Sequence, residues 1–269
     1  MKGFLQEYGI IMVVVAVVLG MLAFGKTGYA KGIQDAILGS ADHIVETGEN
    51  ITKEEVKASD IIDIEGTKYV VLEKQENNQA LVMTARSVRN SIFQSYSGSG
   101  EDIKRPDGQS VSTYEESEID NYLENEWYNG LSSTMKAAIQ STNIQQESYA
   151  IGATSSSGQK TGPNGQVYNT ISRHVFLPSV SEVKKVVDYK NQDKLNAFIH
   201  SIYFEHIYAI WTRDSSVGYH NAVMVLRSFG FDEMATDYNR YNSGLGVCPT
   251  FSIDLSKVDY KVTGHTDYK

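Results

Sequence analysis

Few groups in this chain have the type and spacing to perform chemistry. His200, Glu205 and His206 lie close together in HSIYFEH and are of the kinds that bind zinc. Their spacing matches no zinc motif, and on one helix His200 and His206 would point to opposite faces. Asp237-x-Asn239 opens like a calcium loop, but Tyr241 stands at the fifth position and Cys248 where a bidentate Glu is needed. Ser215 lacks a Gly-x-Ser-x-Gly elbow, so the nearby His220 defines no triad. Gly98-Ser99-Gly100 follows no strand directly and precedes no Lys-Ser/Thr pair, which removes it as a phosphate loop. Cys248 is the sole cysteine. Alone it makes neither an internal disulfide nor a multi-cysteine metal site, and it reads as a small buried residue. Arg213 and Asp214 read as bracing a turn at Trp211 rather than acting on a substrate. The expectation is of no catalytic residues, no metal and no cofactor.

What remains suits binding. From Ile210 to Leu255 the chain passes an apolar entry ending at Trp211 to Ser215, then the β-prone Asn221 to Leu226. A polar, aromatic-rich loop follows, and Gly246 to Leu255 closes the stretch. Rigid aromatic area mixed with Asn, Asp and Tyr makes adaptable contacts. The stretch reads as a ligand-facing surface on a β scaffold. With 269 residues and a net charge of -9, the chain can bury a core but lacks the clustered basic face that nucleic acid requires.

The elements that position this surface can be read in order. Gly9 to Phe24 is an unbroken apolar or glycine run of about 16 residues, and the amphipathic spacing of Ile33, Ala36, Ile37, Ala41, Ile44 and Val45 extends it. Residues 1–45 therefore read as one long transmembrane helix, with a cleaved signal as competitor, and 46–58 as a polar linker. From Ser59 the pattern turns to β, with a hairpin through Gln75 to Asn78. Thr113 and Glu116 have capping-box spacing before a helix over 115–127 that buries Ile119, Tyr122, Leu123 and Trp127. A second helix starts near Ser132, Ser179 and Glu182 repeat the capping spacing, and Asp193 to Tyr203 is a further amphipathic helix.

Two resemblances sharpen this reading. GFLQEYGIIMVVVAVVLGMLAFG resembles the N-terminal helix of type IV and Flp-type pilins through Gly3, Glu7 and Tyr8, although Glu7 sits one residue too close to Gly3 for their processing pattern. Farther on, SDIIDIEGTKYVVLEKQENNQALVMTAR, YEESEIDNYLENEWYNGLSSTMKAAI, RHVFLPSVSEV, AIWTRDS and GVCPTFSIDLS occur in the order seen in one bacterial family. That family is catalogued as a domain of unknown function common in surface and secreted proteins of Gram-positive gut bacteria. The Trp-x-Arg-Asp-Ser turn and Gly-Val-x-Pro end also resemble the C-type-lectin-like fold, which includes formylglycine-generating enzymes and the variable proteins of diversity-generating retroelements. Cys248 departs from the usual Arg of that end.

These resemblances imply an α+β class: a C-type-lectin-like domain over 59–269, with a mixed, mostly antiparallel sheet and flanking helices, after the long N-terminal helix. They imply ligand contacts at Tyr219, His220, Asn221, Arg227, Phe229, Phe231, Asp232, Asp237, Tyr238, Asn239, Tyr241 and Asn242, with Trp211, Arg213 and Asp214 as the structural turn. The expected protein is an adhesin-like, non-enzymatic binder of an extracellular protein or carbohydrate, possessing a retroelement-diversified loop in the sharpest version. Its first helix would meet the lipid bilayer or neighbouring subunits, giving a single-pass membrane location with the domain outside. The alternative is a pilin-like subunit of a surface filament.

Overall fold

The computed structural model describes residues 55–95, 104–149, 166–202, 209–216, 222–227, 230–235 and 245–269, all within one compact unit, Glu54–Lys269. Its first sheet grows from two tight hairpins. Strand β1 (Asp60–Ile64) turns through Glu65 and Gly66, at φ 52° and 81°, into β2 (Thr67–Lys74). Two successive left-handed residues match the right-handed twist of the flanking strands. The Asp63 carboxylate fixes the turn by accepting from the Gly66 N–H at 2.9 Å. Asn77 and Asn78, at φ 55° and 61°, make the equivalent turn into β3 (Gln79–Thr84). The expected hairpin through 75–78 forms, because Asn tolerates this conformation better than most residues. Strand β12 (Thr250–Asp254) adds to β3, β5 (Ile139–Gln140) to β12, and β13 (Lys261–His265) to β1. The result is an antiparallel sheet of order β13-β1-β2-β3-β12-β5.

The second sheet runs β10 (Gly230–Ala235), β9 (Ala222–Arg227), β8 (Ala209–Ser216), β11 (Leu245–Val247), β4 (Arg89–Ser91). β8 meets β9 antiparallel and β11 parallel, while its last residues pair in parallel with β6 (Thr142–Tyr149). β7 (Gln166–Arg173) completes a hairpin with β6. The closing run Gly246 to Leu255 is thus two strands in different sheets, separated at Cys248-Pro249. Proline has no N–H to continue a ladder, yet the Pro249 carbonyl accepts from the Thr84 N–H at 2.9 Å and starts the first-sheet pairing.

The helices are short. α1 (Glu118–Asn121) runs on through a π-helical stretch Tyr122–Trp127 and a last turn Tyr128–Gly130, burying Ile119 and Leu123. α2 is Ser133–Ala138, α3 Val180–Val183 and α4 Gln192–Ile202. Their apolar sides and both sheets share one core that includes Trp211, Phe93, Tyr114, Phe176, Phe198 and Phe251.

Two expectations are corrected. The α+β, C-type-lectin-like architecture with one mixed sheet and flanking helices gives way to a mostly β fold of two sheets. Strands β6 and β7 have no apolar alternation to announce them, and Gln146 is buried in β6 through side-chain hydrogen bonds rather than greasiness. The long transmembrane or pilin-like helix is corrected too. Among the described residues no helix is long and apolar enough to cross a membrane, and the longest, α4, has 11 residues. The apolar run that prompted the membrane reading, within 1–45, lies outside the described residues, as does most of the linker 46–58.

Candidate functional site

Strand β8 is the spine of the candidate site, and all eight of its residues are buried. Trp211, Arg213 and Asp214, expected in a turn, lie on this strand. The irregularity there is a register shift against β9 between Trp211 and Ser215, the kind of local disruption that re-aims side chains. Trp211 donates its indole N–H to the Ser91 carbonyl at 2.8 Å and meets Phe93 edge-to-face at 5.6 Å.

Arg213 and Asp214 together join three elements. Arg213 Nε donates to the Gln145 carbonyl of β6 at 2.7 Å, and Nη1 donates to the Leu177 carbonyl at 2.8 Å. Nη1 and Nη2 also clasp the two Glu182 carboxylate oxygens, each at 2.7 Å. Such a fork-to-fork pair adds geometry as well as energy. Burial works to neutralise both partners, but their attraction outweighs it: Glu182 is held below its ordinary pKa and Arg213 above. Asp214 accepts from the N–H of Glu147 at 3.1 Å and of Val180 at 2.6 Å. Burial nevertheless pushes its carboxyl up to about 7, against the pull of Arg213 and those two amides. The outcome is a rigid joint between β6, β8 and the start of α3.

The strand directions give that joint its meaning. Tyr149 pairs with Ser216, and Ala235 with Ala222, so β6, β8 and β10 end at the same edge of the sheet, where β7 and β9 begin. The connections 150–165 and 217–221 therefore begin and finish there, and 236–244 departs from it. Tyr149 sits at this end with its hydroxyl bonded to Glu147 and the Lys184 ammonium 5.3 Å above its ring. Burial, then that carboxylate, raise the tyrosine's pKa.

Of the expected ligand contacts, Tyr219, His220, Asn221, Phe229, Asp237, Tyr238, Asn239, Tyr241 and Asn242 lie outside the described residues. Their connections, Phe229 excepted, attach to this end of the sheet. Arg227 does not: it ends β9 opposite Gly230, at the far end of that hairpin. Phe231 and Asp232 fall within edge strand β10, opposite Leu226 and Val225. Sequence reasoning missed Glu147 and Tyr149, because β6 carries no apolar signature, and Lys184, the C-cap of α3; the capping pair Ser179–Glu182 was the one signal leading to this joint.

A second set of polar groups fastens β7 to α1. Arg173 grips Asp120 through Nε and Nη2 at 2.8 and 2.7 Å, and Glu124 accepts from the backbone N–H of His174 and Val175. Glu124 also bonds His174 Nδ1 at 2.7 Å, and the imidazole stacks on Tyr128 with centroids 4.6 Å apart. Cys248 is fully buried, and burial pushes its thiol up to about 12. The Thr84 side chain draws it the other way. Among the described residues no group of three or more His, Cys, Asp or Glu side chains is arranged to hold a metal.

By its fold this is a two-sheet β domain. Residues 77–255, about two thirds of the chain, match a domain of unknown function (DUF6273), and the protein belongs to that family. No curated protein matches the chain, and no solved structure does.

Proposed function

We propose that the protein is a ligand-binding domain that engages a protein or carbohydrate without transforming it. The contacts would come from residues leaving the common end of β6, β8 and β10. One observation carries this reading: the connections 150–165, 217–221 and 236–244 all leave the sheet at an end braced by the Arg213–Glu182 pair and Asp214. Binding residues on loops over a rigid frame are the common arrangement for recognition. The buried ionisable groups of the joint spend their hydrogen bonds on backbone and on each other, which leaves contact to the connections, and 217–221 and 236–244 supply Tyr, Asn and Asp for it.

The test is a screen of the full chain against a glycan array and a panel of purified bacterial surface proteins. A Tyr238→Ala, Asn239→Ala, Tyr241→Ala triple variant is run alongside. Expected is a ligand whose affinity drops at least tenfold in the variant with the melting temperature unchanged. An unaltered binding profile in the variant, or chemical conversion of the captured ligand, would overturn the proposal.

A further inference from the structure

The joint at the end of β6 holds one buried carboxylate more than its cation answers. Arg213 commits each of its nitrogens elsewhere: Nη1 and Nη2 to Glu182, Nη1 also to the Leu177 carbonyl, and Nε to the Gln145 carbonyl. Asp214 is fully buried and has no ion pair among the described residues. Its two oxygens accept backbone N–H groups instead, Oδ1 from Glu147 of β6 and Oδ2 from Val180 of α3. The titratable groups facing it are Arg213 on its own strand and Glu147 and Tyr149 on β6. Glu182 of α3 lies across Arg213, and Lys184, the C-cap of α3, stands 5.3 Å above the Tyr149 ring. From β9 comes the apolar Val223, opposite Ser215. A buried carboxylate without a counter-ion takes up a proton rather than stay charged. Burial, with the like charge of Glu147, pushes Asp214 up to about 7 against Arg213 and the two amides.

The build of β6 sets where this joint can give way. Gln146 is fastened by its side chain, which accepts from the Tyr114 N–H at 2.8 Å and donates to the Ser112 carbonyl at 3.0 Å. Farther down the hairpin, Arg173 of β7 grips Asp120. A register shift in the β6–β7 ladder falls between Gln146 and Glu147, the kind of irregularity at which a strand bends. Beyond it, β6 meets β8 through two register pairs, Ser148 with Ser215 and Tyr149 with Ser216. The Asp214 bond to the Glu147 N–H stands at the bend itself.

We propose that Glu147–Tyr149, with Gln166 and Val167 of β7 paired to them, form an arm that docks on β8 while Asp214 holds a proton and is released when Asp214 gives it up. Release hands the carboxylate the water that the joint denies it, and its pKa falls back toward the ordinary 3.8. The docked form is therefore the one that keeps the proton. Docking is complete below about pH 4, weakens about tenfold per pH unit above that, and levels off past about pH 7, about a thousandfold weaker. The common end of β6, β8 and β10 is firmest in acid. This is a property of the frame, and it survives even if the connections above bind nothing.

The test is amide hydrogen exchange of the full chain, read by mass spectrometry from pH 5 to 8.5 and corrected for the chemical exchange rate, with and without sub-denaturing urea. A local opening exposes little surface and so responds weakly to urea, whereas global unfolding responds strongly. Peptides covering 145–149 are expected to lose protection about tenfold per pH unit up to pH 7, to level off above it, and to ignore urea. Peptides from β3 and β12 are expected to be more protected and urea-dependent. In Asp214→Asn, which has no proton to lose, protection of the arm should not vary with pH. Glu147→Gln removes the like charge and should move the levelling-off to lower pH. The proposal is overturned if 145–149 share the protection and urea response of β3 and β12. It is equally overturned if their protection is the same at pH 5 and pH 7, or if both variants keep the wild-type pH profile.

Discussion

At the scale of single residues, buried charge dominates this fold, and Asp214 shows the cost most directly. Burial raises its carboxyl from 3.8 in the ordinary case to about 7 in the folded chain. A raised folded-state value means that the folded form binds a proton the unfolded form has released. The stability this group contributes is complete below about 4 and is lost as pH rises through about 7. Within that window, Asp214 alone should lower stability by about 1.4 kcal/mol per pH unit. Urea midpoints of the wild type and Asp214→Asn, measured between pH 4.5 and 7.5, should diverge in slope accordingly; parallel profiles would refute the assignment. Glu182 works in the opposite direction, since its pKa is lowered and its contribution disappears as acid protonates it.

At the scale of elements, the same two residue types decide where helices begin. Ser179 and Glu182 form a reciprocal capping box on α3, with Ser179 Oγ accepting from the Glu182 N–H and the Glu182 carboxylate from the Ser179 N–H. Spacing alone announced it. Thr113 and Glu116 carry the same spacing, yet the cap falls on Ser117, which accepts from the Asp120 N–H at 3.1 Å. Glu116 instead turns back at φ 58°, its N–H held by the Asp120 carboxylate that Arg173 also grips. A contact from a strand more than fifty residues away settled that boundary, and no local pattern contains it. Ser179→Ala should cost about 1 kcal/mol, the usual worth of a cap. Glu182→Gln should cost roughly 3–5 kcal/mol, because it also leaves the Arg213 guanidinium buried without its counter-ion. Chemical denaturation of both variants would check the ranking, and equal losses would show that the ion pair adds nothing beyond the cap.

At the scale of the whole molecule, the fold is closed by its last strand. β13 pairs with β1, bringing His265 to Asp60 with Nδ1 and Oδ1 2.7 Å apart. The Thr266 N–H reaches the Ser59 carbonyl, and Tyr268 packs on Phe198 at 5.5 Å. The Cys248-Pro249 step passes the chain from one sheet to the other, so the sheets are coupled through one core. Deleting residues 259–269 should therefore lower the melting temperature of both sheets together. Far-ultraviolet circular dichroism and tryptophan fluorescence should still report one coincident transition. Two separated transitions would show that the sheets fold independently.

The sequence by itself fixed what depends on near neighbours. The Asn77-Asn78 hairpin, the Ser179–Glu182 cap, the amphipathic run of α4 and the buried character of Cys248 could all be read from local patterns. It also located the Trp211 to Asp214 segment as important while misjudging its form. A strand buried along its whole length shows no alternation, and the Arg-Asp pair looks polar enough for a turn. Only the tertiary structure decided that Gly246 to Leu255 is shared between two sheets, that polar β6 and β7 are strands, and that α+β patterning resolves into a mostly β fold. Those outcomes rest on hydrogen bonds between distant residues: Gln146 to Tyr114, Arg213 to Glu182, Arg173 to Asp120. Partners so far apart leave no periodicity in the chain, so the folded backbone is what brings them to light.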